Sequence, residues 1–313
     1  MKDRPLKNTA ASVRQRLLNL ARERGDDFNL LLSRYVHERL LYRLDRSPEA
    51  DRFVVKGATL FALWSAMPHR ATKDLDLLGY GTPDLTRLEV LFRGLCGVVV
   101  EPDDGVTFDA SNVRAQAIRE QALYDGIRID MVACLGSARV RVQVDVGFGD
   151  AIVPTPELAT FPALLDLPAP TLRAYARETV IAEKLHAMVD LGIANSRLKD
   201  YFDIWFLAQH FEFDAHRLGS AISATFNARG SALPREVPLG LTDTFALDVG
   251  KAQQWRAFLR RTEPRGPSRT LPETIADIRR LVLPVLERLH TREMSNARWR
   301  HDVGWLERGE NSR

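Results

Sequence analysis

Cysteine is almost missing from this chain, and the absence is informative. Cys96 and Cys134 are the only two among 313 residues. They sit far apart in apolar surroundings, with no CxxC pair or His/Cys cluster beside them. That composition excludes a disulfide framework and a zinc-finger type of site. No apolar run approaches the length that spans a bilayer, so no membrane association is expected. The N-terminal stretch MKDRPLKNTA starts basic but no apolar core follows, which does not read as a secretory signal; a cytoplasmic location is expected. Charge of one sign is lacking as well. The formal net charge of +3 permits nucleic-acid binding without demanding it. Lysine is scarce: the cations are arginines except at Lys2, Lys7, Lys56, Lys73, Lys184, Lys199 and Lys251. Where Lys survives, a compact ammonium suits the position better than a planar fork, and most of these lysines fall in the segments discussed below.

What is present divides into two halves. Helical spacing covers 12–22 and 27–44, the second helix capped by Asp26 or Asp27. Residues 53–57 read as a short strand closed by Gly57, and ATLFALWSAM after it has helical spacing. Residues 74–80 alternate like a strand, 84–95 read as a helix, and 98–101, 106–109 and 126–134 as strands. The clearest strand is 138–148, with Val140, Val142, Val144 and Val146 on one face and Arg139, Arg141, Gln143 and Asp145 on the other. A proline-dense stretch, 153–170, marks the expected boundary. Helices follow at 175–191, 198–210, 214–227, roughly 250–261 and 271–290. The last residues, from Ala297 onward, read as a poorly ordered basic end. The expected fold is therefore α+β: a small mixed-sheet core with N-terminal helices over 1–152, then a mainly helical domain over 153–313.

Carboxylates carry the chemistry. Asp74 and Asp76 are two apart, so in a strand they share a face. Adjacent carboxylates repel unless a positive charge lies between them, and a hard divalent cation such as Mg²⁺ or Mn²⁺ meets that need through oxygen ligands. Asp145, on the polar side of its own strand, would add a third ligand and room for a pair of ions. Taken singly, each of these aspartates is better explained by a solvated strand. Their order alters the balance. Gly57-Ala58-Thr59 lies between a strand and a helix, where backbone N–H groups and the helix dipole favour phosphate. Arg70, Thr72 and Lys73 stand just before Asp74.

In these residues the chain resembles the DNA polymerase β-like nucleotidyltransferase superfamily, and within it the AbiEii/AbiGii toxin family. The first motif stands as Val55-Lys56-Gly57-Ala58-Thr59-Leu60, then Arg70-Ala71-Thr72-Lys73-Asp74-Leu75-Asp76. The third-acid strand is Val142-Gln143-Val144-Asp145-Val146. Two helical motifs follow: Glu183-Lys184-Leu185-His186-Ala187 and Arg197-Leu198-Lys199-Asp200-Tyr201-Phe202-Asp203-Ile204. The match runs over roughly 50–210. Ala58 departs from the usual second Gly or Ser, and its methyl narrows the approach of a triphosphate.

The resemblance implies a toxin of a bacterial toxin–antitoxin or phage-defence pair that uses a nucleoside triphosphate (NTP) with Mg²⁺ or Mn²⁺. Asp74, Asp76 and Asp145 would hold metal and, with Lys184 and Asp200, carry catalysis. Lys56, Gly57, Ala58, Thr59, Arg70, Thr72, Lys73, Lys184 and Asp203 would bind the nucleotide. The implied acceptor is RNA, the 3′ end of tRNA above all, so that translation stops, and the implied partner is an antitoxin encoded alongside. Two rival readings stand beside this one: nucleotidyl transfer to a protein or small molecule, and a catalytically idle module that grips a partner. Lys184, near an apolar helix face, either meets a triphosphate or pairs with Asp200. His186 reads as structural. Trp255 with Arg256, Arg260, Arg261 and Arg265, and Trp299 with Arg300 and His301, suit stacking on RNA and contact with its phosphates.

Overall fold

In the computed structural model, residues 8–65, 74–120, 124–262, 269–292 and 296–307 are described. Arg70, Thr72, Lys73 and Arg265 lie outside them. The elements of the first unit are, in order, α1 (Thr9–Arg24), α2 (Phe28–Asp45), β1 (Phe53–Lys56), α3 (Phe61–Trp64), β2 (Asp74–Gly79), α4 (Leu85–Cys96), β3 (Val106–Phe108), β4 (Arg114–Glu120), β5 (Tyr124–Leu135), β6 (Ala138–Phe148), β7 (Glu157–Thr160) and β8 (Thr171–Ala174). Asp27 caps α2 by accepting from the Leu30 N–H at 2.9 Å, and Asp84 caps α4 in the same way through the Arg87 N–H. Residues 98–101, expected as a strand, form none. They lie between α4 and β3 and pair with no strand.

The eight strands make one sheet, ordered β3-β5-β6-β2-β1-β8-β7, with β4 also paired to β5. Alternation decides its two faces. Val55, Leu77, Val146 and Ile127 are register neighbours across β1, β2, β6 and β5, and each is at most 3 % exposed. Leu75, Val144 and Ile129 form the next buried row. Burying each such side chain contributes roughly 1.5–3 kcal/mol, so a slip of one residue in β6 would be costly. The residues between them turn the other way, and they carry the charges.

The second unit comprises 150–156 and 175–313, while 157–174 belongs with the first. The division is thus not a single cut after residue 152. The proline-dense stretch is an excursion that returns to the sheet, where β8 runs parallel to β1 with Val55 opposite Ala174. Buried charges hold it there: Glu38 accepts the Leu164 N–H at 2.8 Å, and Arg39 donates to the Pro168 carbonyl at 2.8 Å.

The elements of the second unit are α5 (Arg177–Leu191), α6 (Leu198–His210), β9 (Phe213–Asp214), α7 (Ala215–Ala228), α8 (Asp243–Ala246), α9 (Val249–Thr262), α10 (Leu271–Thr291), β10 (Arg298–Arg300) and β11 (Gly304–Leu306). α5 packs on α6 and α7, and α10 on α6 and α7. The described end of the chain is ordered, contrary to the reading of a loose basic tail. Strands β11, β10 and β9 form a small sheet, and Trp299, 1 % exposed, donates its indole N–H to the Ala208 carbonyl at 2.8 Å. A large apolar ring with one N–H to satisfy anchors a segment in which arginines flank it on both sides.

Candidate active site

The register that buries the valines of β6 sets a row of charges on the opposite face. Lys56 stands opposite Asp76, Asp76 beside Asp145, Asp145 opposite Arg128, and Arg128 opposite Gln116. One step along, Asp74 lies beside Gln143, which faces Asp130. Asp74 and Asp76 therefore share a face with Asp145, as their two-residue spacing predicts. Lys56 is buried at 6 % exposure, an ammonium at the edge of an acidic row.

Gly57 is the second constraint. Its φ of +71° lies in the left-handed region. A Cβ added there would come 1.9 Å from the Asp76 Oδ2. Backbone of the turn therefore lies directly against a carboxylate of the row, an approach only glycine allows. Ala58 and Thr59 continue the turn into α3. All these residues belong to the first unit.

Asp145 is held by a residue that the motif reading does not single out. Arg128 donates from Nε to Oδ1 and from Nη2 to Oδ2, both at 2.8 Å, a two-point clamp. The bond to Asp145 is the main cause that raises the already high Arg128 pKa. The signal that identifies Arg128 is the turn at Gly136-Ser137: Leu135 faces Ala138, and counting back from that pair puts Arg128 against Asp145. Among the described residues no group of three or more His, Cys, Asp or Glu side chains is gathered as a metal cage. The donor set is nonetheless of the right kind. Asp74, Asp76 and Asp145 supply only carboxylate oxygens, the ligands that hard divalent ions take; the register sets Asp76 beside Asp145, with Asp74 one step along on the same face.

In the second unit Lys184, Asp200 and Asp203 come together. Lys184 Nζ lies 2.7 Å from an Asp200 oxygen and 2.9 Å from an Asp203 oxygen. Arg197 Nε approaches the other Asp200 oxygen at 3.2 Å. Asp200 and Asp203 are 2 % and 0 % exposed, so two buried carboxylates meet two cations. The pairing of Lys184 with Asp200, one of its two expected roles, is present. His186 is engaged on both nitrogens. Arg229 reaches its Nδ1 at 3.2 Å, and Ser231 Oγ lies 2.9 Å from Nε2. Arginine only donates, so Nδ1 must accept and Nε2 must carry the proton. That tautomer cannot take a proton from Ser231, and burial lowers the His186 pKa, so the histidine is structural.

The aromatic stacking surface is not formed. Trp255 is 2 % exposed and donates to the Arg269 carbonyl, and Trp299 is buried as described. Arg256, Arg260 and Arg261 are exposed on α9. Cations remain there for phosphates, but those two rings are committed to the core.

The profile of the nucleotidyl transferase AbiEii toxin family, type IV toxin–antitoxin system, matches residues 39–280. No curated protein matches the chain. Among solved structures, JHP933 from Helicobacter pylori is similar at 14 % identity over 84 % of this chain and 94 % of its own, with a TM-score of 0.48. A second solved structure from H. pylori, described as a candidate nucleotidyltransferase, is similar at 16 % identity over 84 % of this chain and 97 % of its own, with a TM-score of 0.47. The chain belongs to the AbiEii nucleotidyl transferase toxin family. A type IV system implies a cognate antitoxin. Among the described residues no helix is long and apolar enough to cross a membrane.

Proposed function

We propose that this member of the AbiEii family transfers a nucleotide from an NTP to RNA, with the 3′ end of tRNA as acceptor, and so arrests translation until its antitoxin intervenes. The observation that carries the reading is the alignment of Asp76 with Asp145 on adjacent strands, with Asp74 on the same face and Gly57 pressed against Asp76. In the transfer, the acceptor oxygen bonds to the α-phosphorus, the bond to pyrophosphate breaks, and the hydroxyl proton is released.

Asp74, Asp76 and Asp145 would hold Mg²⁺ or Mn²⁺, which when bound neutralises developing charge and activates the attacking hydroxyl. The chain's own residues do the rest. Gly57-Ala58-Thr59 brings backbone N–H groups close to the row, where a phosphate would meet them. Lys56 balances charge at one end. Arg128 fixes the rotamer of Asp145 and releases one or both oxygens when a stronger cation arrives. The family motifs assign Arg70, Thr72 and Lys73 to the nucleotide set, and likewise Lys184, which Asp200 and Asp203 pin within the second unit.

The test is direct. Purified protein is incubated with each α-labelled NTP, total RNA and Mg²⁺, and the products are resolved by size and by nuclease or protease sensitivity. Label on tRNA that chelator abolishes is the expected result. Label only on protein, or on a small molecule, rejects the RNA acceptor, and no label with any NTP rejects the transferase.

A further inference from the structure

β6 runs on past the acidic row. Its polar face carries Asp145, Gln143, Arg141 and Arg139 in turn, while Val140, Val142 and Val144 are buried behind it. Alternation therefore sets both arginines on the face of Asp145. Both are exposed, and among the described residues neither makes an ion pair or a side-chain hydrogen bond. Two other arginines of this face are engaged. Arg128 clamps Asp145, and Arg114 donates to the Ser111 and Val113 carbonyls at 2.8 and 2.7 Å. Solubility alone does not explain the unengaged pair. A solvent-facing strand gains stability from an opposite charge across the ladder, yet β5 sets Val132 opposite Arg141 and Cys134 opposite Arg139. The acids nearby are occupied elsewhere: Asp130 accepts from Gln116 at 3.0 Å, and Asp109, within electrostatic reach of Arg139, accepts from Ser111 and Asn112.

Spacing supplies a purpose. Alternate residues of a strand stand about 6.6 Å apart, close to the step between successive phosphates of an extended polynucleotide. From Asp145 to Arg139 is about 20 Å, room for about three nucleotides. On the reading that RNA is the acceptor, we propose that this face of β6 is the track of its single-stranded 3′ end. The terminal hydroxyl lies at Asp145, and Arg141 and Arg139 hold phosphates about two and three nucleotides back. One line of cations matches one backbone, so the end that fits is unpaired. Half-buried Val132 and Cys134 give its bases an apolar floor beside the line, and the guanidinium planes stack on bases as well as pairing with phosphate.

Two readouts on the full chain test the track. In the first, hairpin RNAs whose 3′ overhang grows one nucleotide at a time are titrated by fluorescence anisotropy at several salt concentrations, without NTP. Affinity should rise until the overhang reaches about three nucleotides and then level off. Arg139→Gln/Arg141→Gln should bind the longest overhang about fivefold more weakly, with a log–log salt slope shallower by about 1.4, and should bind the blunt hairpin as the parent does. Arg139→Lys/Arg141→Lys keeps both charges and should retain most of the affinity. In the second readout, transfer of label, the glutamine variant should raise KM for overhang RNA while kcat, KM for NTP and the melting temperature stay unchanged. Parental binding by the glutamine variant, or affinity indifferent to overhang length, overturns the track. Overhang binding through the arginines with no label on RNA keeps the track and rejects the acceptor reading; labelled RNA whose binding ignores the arginines does the reverse.

Discussion

Asp145 and Asp200 are each held by a cation at hydrogen-bonding distance, 2.8 Å from Arg128 and 2.7 Å from Lys184, but their surroundings differ. Asp145 is 13 % exposed and its arginine 32 %; Asp200 is 2 % exposed and its lysine 14 %. The first pair lies on the polar face of the sheet, with Asp76 in the same row and Asp74 one step along. The second closes on itself, two acids against Lys184 and Arg197. A partly solvated pair is weak and exchangeable, whereas a buried one is costly to break because either partner alone becomes an uncompensated charge. The sheet therefore carries the carboxylates that can change partners, and the helices carry those that cannot.

Lys184→Met is the harshest way to break this contrast. It leaves Asp200 and Asp203 buried with Arg197 alone, and the expected loss is about 3–5 kcal/mol of stability in urea unfolding. Lys184→Arg separates structure from chemistry: the ion pairs persist in part, while a raised KM for NTP at normal stability shows that the ammonium also meets the nucleotide. If the methionine variant unfolds like the parent, the sealed character of the cluster is wrong. Asp76→Asn tests the open side. No core volume is lost, so the melting temperature should hold or rise while transfer falls on the order of a thousandfold. Retained transfer at equal protein would remove Asp76 from the site.

Acid distinguishes the two units. Burial lowers the His37 pKa to about 4, against 6.5 when unfolded. Between those values the unfolded state binds more protons, so stability falls as pH drops through 6.5 toward 4, by about 3 kcal/mol in all. Glu38, whose pKa burial raises above 4.5, has the opposite sign and offsets part of this near the bottom of the window. His186, lowered as well, adds the same sign in the second unit. Trp64 lies in the first unit and Trp205, Trp255, Trp299 and Trp305 in the second, so fluorescence of Trp64→Phe against the parent reports each separately. A pH-independent midpoint from 7 to 4 would contradict the burial of His37. The smallest effect is expected at Arg128→Ala. Loss of so exposed a pair should cost under about 1 kcal/mol, and removal of the competing cation should lower the Mg²⁺ concentration for half-maximal transfer. A higher requirement would make Arg128 a supporter of the ion instead of its rival.

The strand β6 was legible residue by residue, because strict alternation of valines with polar residues admits one arrangement. The limits of α5 and α6 were nearly as clear. The hairpin 157–174 was not, since two strands of four residues among prolines have no pattern of their own, and β8 is completed only by Val55, far away in sequence. β4, RAQAIRE, was hidden for a related reason: its pairing to β5, not an apolar stripe, makes it a strand. At the C-terminus the cations around Trp299 suggested solvent, yet one indole with a buried carbonyl to meet outweighs them. In the site, the aspartates were legible as motif, while Arg128 needed the hairpin register.

The excursion of 157–174 also dictates an order of synthesis. A ribosome that has made residues 1–149 has synthesised every strand of the first sheet except β8, which covers β1, and β7, which covers β8. Residues 150–156, which belong to the other unit, emerge before those two. Until Ala174 clears the exit tunnel, Val55 lacks its neighbour and β1 remains an unpaired edge, open to association with other chains. The nascent chain thus carries β1 with one side uncovered until most of the first unit's sequence is already behind it.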